Sequence, residues 1–122
     1  MSDLRSVLDV AVLGELRASV GDDPEFLAEL IDDFVADAPA QISSLREAAA
    51  SGDEIGARRA AHTLKGTSRT FGAGELASVC QDVEAAVGAG DFDTVLARID
   101  ELEHEWGRVR TELVALRDGQ VR

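Results

Sequence analysis

Two histidines could do chemistry in this chain, His62 and His104, and their surroundings differ. His62 lies in "RRAAHTLKGTSRTFGAGEL", residues 58 to 76, among alanines, with Lys65 and Gly66 one turn further on. At about 100° per residue, a helix here sets Ala57, Ala60, Leu64, Thr67, Ser68 and Phe71 within roughly 60° of the direction opposite His62. Arg58, Arg59, Lys65, Gly66 and Arg69 fall within roughly 60° of His62 itself. The first set is a core face. The histidine is therefore expected to point outward, at the centre of a basic patch with no acid on it. Ile55, two turns earlier on the same side, is the apolar residue available for docking.

An outward helical histidine is most often idle. Here that reading must also account for four cations on one face of a chain with 24 acids and 12 bases. It must account too for Gly66 in mid-helix, which costs about 1 kcal/mol relative to alanine. Phosphoryl handling fits all three features. A neutral imidazole is a competent nucleophile near neutral pH. Lys65 can neutralise phosphoryl oxygens as charge builds during transfer. Gly66 leaves room for a second protein beside the ring. With no acid or second base nearby, such a site would hold a phosphoryl group rather than hydrolyse it.

His104 invites a different chemistry, because Glu101-x-x-His104 has the spacing of di-iron helical bundles. That site needs a second such pair, and Arg59 stands three residues before the other histidine. "HEWGR" is not the zinc motif H-E-x-x-H. His104 also lies off the seam of Ile99, Leu102 and Trp106, so a solvated side chain is expected.

The elements that must position His62 follow from composition and pattern. A length of 122 residues with 45% hydrophobic content suits one domain with a single core. The net charge of −12 argues against nucleic-acid binding, which needs a basic footprint. No apolar run approaches the roughly 20 residues needed to span a membrane, and "MSDLRSVLDV" lacks a signal-peptide centre. The single cysteine, Cys80, excludes an internal disulfide, and a cytoplasmic location is expected.

Asp9 to Val20 reads as a short first helix with Leu13 and Leu16 inward, ended by Gly21. "DDPEF" starts a second, with Asp23 as N-cap and Pro24 at the first helical position. Leu27, Leu30, Ile31 and Phe34 form its apolar face. Pro39 is expected to break or kink it before Ile42, Leu45 and Ala49 continue that face. Ser51 or Asp53 caps the helix of His62, which runs to about Thr70 and closes at Gly72. Leu76, Val79, Cys80, Val83 and Val87 make the next helix. Ile99, Leu102, Trp106, Val109, Leu113 and Leu116 make the last, from about Phe92 to Leu116. Short connections make neighbours antiparallel. The expected fold is all-α: an up-down four-helix bundle with one or two short N-terminal helices across one end. Residues 1–7 and 118–122 are expected to be loosely ordered.

"AHTLKGTSRTFGA" resembles the signature of histidine-containing phosphotransfer (HPt) domains, roughly A-H-x-L-K-G-x-S-x-x-x-G-A. "FLAELIDDF", "LREAAASGD" and "ELASVCQDVE" resemble that family's framing segments, so the likeness covers nearly the whole chain. The resemblance implies a phosphorelay carrier that takes a phosphoryl group from a receiver-domain aspartyl phosphate and passes it to a response-regulator aspartate. By position it makes His62 the phosphoacceptor, Lys65 the phosphate-stabilising residue and Gly66 the close-approach position. Arg58, Arg59, Arg69 and Ile55 are then candidates for receiver docking. It implies no ATP site and no cofactor of its own, with Mg²⁺ supplied by the receiver. The implied partners are response-regulator receivers and a hybrid sensor histidine kinase, met by a monomer. The alternatives are a non-catalytic adaptor that docks on a receiver, or a domain excised from a hybrid kinase. Met1 so close to the first helix favours a free-standing protein.

Overall fold

The computed structural model describes residues 7–120, and within them the chain is helical throughout: α1 (Val10–Ser19), α2 (Pro24–Ser51), α3 (Glu54–Thr70), α4 (Gly74–Gly88) and α5 (Phe92–Gln120). Aspartates start most of these helices. Asp9 accepts from the amides of Ala11 and Val12, Asp23 from Glu25 and Phe26, and Asp53 from Gly56. Asp91 does the same for α5 through the Thr94 amide at 3.1 Å and hydroxyl at 2.6 Å. Each carboxylate satisfies amides that have no partner within the first turn. Of the two caps expected for α3, Asp53 is the one used. Ser51 ends α2, with its hydroxyl donating to the Ala48 carbonyl.

Helices α2 to α5 pack in a ring, each against the two beside it, with connections of two or three residues forcing antiparallel neighbours. The core runs along the ring's axis. Ile31, Ala38, Ala57, Leu76, Cys80, Val83, Val95, Ile99, Leu102 and Leu113 are all buried in it. Phe34 stacks on Phe71 with ring centroids 5.0 Å apart and tilts against Trp106 at the same distance. These rings join α2 to the end of α3 and to the middle of α5. The one short helix among the described residues, α1, has no fully buried residue, and Leu13 and Leu16 half-bury against the core.

One glycine ties α1 to the end of the histidine helix. Gly72 has φ +74°, and a Cβ there would stand 2.9 Å from both the backbone nitrogen and oxygen of Asp9. Instead the Asp9 amide donates to the Gly72 carbonyl at 2.8 Å.

Of the break or kink expected at Pro39, the break is absent: α2 continues through it to Ser51. A mid-helix proline costs about 3 kcal/mol, but Ala38 and Ile42 beside it are both buried, and that packing holds the helix together. Residues 118–120, expected to be loose, continue α5, and Arg117 ties this end to α2 by donating to Asp32 at 2.7 Å. Val7 also packs on the core, while residues 1–6 and 121–122 lie outside the described residues. No helix of the described residues is long and apolar enough to cross a membrane.

Candidate functional site

His62 stands on the outer side of α3 with 70% of its side chain exposed, as the helical arithmetic requires. The opposite face is the core: Ala57, Ala60, Leu64, Ser68 and Phe71 are buried, with Thr67 half-buried at its edge. Ser68 is accommodated there because its hydroxyl donates to the Leu64 carbonyl at 2.6 Å.

The neighbourhood of His62 differs from the expected all-basic patch. Glu84, reaching across from α4, places Oε2 3.3 Å from His62 Nδ1. Lys65 does not point into solvent. It is buried at the seam of α3 and α4, with Nζ 2.5 Å from Glu84 Oε1 and donating to Gln81 Oε1 at 3.1 Å. The Lys65–Glu84 contact is an ion pair. A helical wheel orders directions around one helix but cannot say which of them a neighbour covers. Helix α4 covers the Lys65 side and leaves the Gly66 side open. A Cβ on Gly66 would meet nothing within 4 Å.

Burial would push the Glu84 carboxyl up, but hydrogen bonds and charge from Lys65 and His62 outweigh it and hold the carboxyl below its ordinary 4.5. Glu84 is thus a carboxylate at neutral pH and can only accept. In the neutral form of a ring facing it, a hydrogen bond at Nδ1 places the proton there and leaves the lone pair on Nε2. A second buried group next to this network, the Cys80 thiol, is pushed up to about 12 by burial, with Glu84 adding and Lys65 opposing. It is a packing residue, not a nucleophile.

The structure divides the expected docking residues. Ile55, 72% exposed, lines one concavity with Arg58, Arg59, His62 and Glu84. Arg58 is held by Glu54 of its own helix at 2.7 Å, while Arg59 has no acidic partner among the described residues. Gly66 belongs to a groove on the other side of His62, between α3 and α2, together with Leu30, Asp33 and Asp37. Arg69 is exposed but lines neither concavity. His104 is exposed, and among the described residues no group of three or more His, Cys, Asp or Glu could hold a metal ion.

Glu84, Gln81, Asp33 and Asp37 were not singled out from the sequence. The one local sign of Glu84 is its place next to the buried Val83, at the edge of the apolar face of α4.

Residues 29–118 match the family model described as Hpt domain. The crystal structure of histidine-containing phosphotransfer protein B (HptB) from Pseudomonas aeruginosa PAO1 superposes with a TM-score of 0.82. It shares 33% sequence identity over 91% of this chain and 94% of that one. No curated protein matches the chain. With an all-helical bundle around an outward histidine and a family match over most of its length, the chain belongs to the Hpt domain family, the phosphotransfer proteins of two-component phosphorelays.

Proposed function

We propose that His62 is the phosphoryl carrier, accepting from a receiver-domain aspartyl phosphate and donating to a response-regulator aspartate. The observation that carries this reading is the Nδ1–Glu84 contact of 3.3 Å on a largely exposed ring. It leaves the Nε2 lone pair facing solvent. In the accepting step Nε2 bonds to phosphorus, the phosphorus–oxygen bond to the aspartate breaks, and the carboxylate leaves with the electron pair. Nδ1 keeps its proton against Glu84. The phosphorylated ring thereby stays cationic and remains a good leaving group for the return step.

Lys65 has two parts in this scheme. Its ammonium carries three donors, and Glu84 and Gln81 engage it on the protein side. It anchors the carboxylate that orients His62, and its remaining hydrogen-bonding capacity is available to a phosphoryl oxygen. Gly66, with open space where a side chain would be, lets a receiver close on the ring.

The test is incubation with labelled phospho-receiver domains and Mg²⁺, followed by assay for an acid-labile, base-stable phosphate on this protein. His62→Gln should fold with a native melting curve and take up no label. Label retained in that variant, or found on His104, sinks the assignment. Binding of receivers without any exchange would favour the non-catalytic adaptor.

A further inference from the structure

The surface on either side of His62 is electrically split. In the α2–α3 groove, Asp33 and Asp37 stand exposed one turn apart, and no cation of the described residues pairs with either. Neighbouring Asp32, by contrast, is bound by Arg117. Like charges at i and i+4 oppose the helix, and no cation among the described residues offsets this pair. On the other side of the ring, Arg58 and Arg59 line the concavity that contains Ile55 and Glu84, whose carboxylate is already engaged by Lys65 and His62. Arg58 is paired only within its own helix, and Arg59 not at all among the described residues. The floor of the aspartate groove is half-buried Leu30 with buried Phe34 and Phe71, and Thr63, Gly66, Thr67 and Thr70 complete its lining.

We propose that the receiver partner docks across this split, with cationic side chains over Asp33 and Asp37 and its acidic phosphorylation site toward Arg58 and Arg59. This rests on the reading of His62 as the phosphoryl carrier. An aspartyl phosphate is anionic, so its approach is favoured from the arginine side and opposed over the aspartates. Partner cations over α2 complete the match. The same receiver turned about the axis through His62 would bring acid onto acid, so the split sets orientation as well as partner choice. Asp33 and Asp37 are thereby specificity-determining residues that touch neither the ring nor the phosphoryl group.

Two donors separate docking from chemistry. Phosphoramidate needs no docking: its phosphorus–nitrogen bond breaks, ammonia leaves and phosphorus bonds to Nε2. Purified receiver domains from the same genome need the whole surface. The double variant Asp33→Lys/Asp37→Lys should be labelled by phosphoramidate at least as fast as the parent, since that small donor is itself anionic. Its transfer with the receivers the parent prefers should fall by about tenfold at low salt. The gap should narrow at about 500 mM salt, where exposed charges are screened within a few ångströms. Asp33→Asn/Asp37→Asn should fall between the two. Unchanged receiver rates in labelled variants overturn the proposal. So does an effect confined to self-association in sedimentation, which would make the groove a contact between copies of this chain. Absence of phosphoramidate label on the parent would instead remove the His62 reading, and the docking scheme with it.

Discussion

His62 Nδ1 stands 3.3 Å from Oε2 of Glu84, a residue 22 positions later in the chain and on the next helix. The contact gives a solvent-facing histidine a carboxylate partner at Nδ1. Its partner is fixed in turn by Lys65, so three residues from two helices act as one unit: Lys65 holds Glu84, and Glu84 holds His62.

Removing the carboxylate should therefore alter the ring before it alters the fold. In Glu84→Ala, nuclear magnetic resonance of the imidazole nitrogens should show the neutral ring shifting from the Nδ1–H toward the Nε2–H tautomer. Phosphotransfer should slow by roughly tenfold, about 1.4 kcal/mol of barrier. A native tautomer and rate in this variant would remove Glu84 from the mechanism.

The same carboxyl carries a pH signature. Its folded value lies below the ordinary 4.5, so the ionised form is favoured by folding. The stabilisation is complete above the ordinary value and is lost as pH falls through the folded one. Urea melts across the acid range should show this loss in the parent. Glu84→Gln should lack that increment of acid sensitivity, and identical acid limbs in the two proteins would contradict the pairing.

Lys65 should behave unlike the arginines around it. Its truncation strands a largely buried carboxylate, so Lys65→Ala should cost about 1–3 kcal/mol of stability and slow transfer as well. Arg58→Ala and Arg59→Ala, at exposed positions, should stay within about 0.5 kcal/mol of the parent. A double-mutant cycle with Glu84→Ala measures the coupling directly, and additive losses would mean that the pair is not an energetic unit.

At Gly66, folding and function should separate. Gly66→Ala should stabilise the isolated domain by up to about 1 kcal/mol, since the side is open and the glycine only loosens the helix. Gly66→Leu should fold too, yet slow transfer sharply, because the reacting atoms must come within about 3–3.5 Å. Melting curves and transfer time courses on the same variants decide this. Native transfer by Gly66→Leu would end the close-approach idea.

Much of this was legible in the sequence because it is local. The cap at Asp23, the choice of Ser51 or Asp53 for α3, the closing turn at Gly72 and the apolar stripes of α2, α4 and α5 depend on residues a few positions apart. Helical periodicity also put His62 outside and Leu64 inside, since the angle between side chains on one helix is set by backbone geometry alone. Pro39 shows where local rules end: its intrinsic penalty is real, but burial of Ala38 and Ile42 against other helices outweighs it.

What only the tertiary structure decided is which side of the histidine helix its neighbours cover. Packing of α4 against α3 took Lys65 out of solvent and brought Glu84 to both Lys65 and His62. Packing of α2 on the other side set Asp33 and Asp37 beside Gly66. These meetings join residues far apart in sequence, and the angular order of side chains on a single helix contains no distance to another helix. The sequence by itself thus determined that a histidine faces outward from a helical bundle, whereas packing between helices determined which carboxylate faces its ring and the charges that surround it.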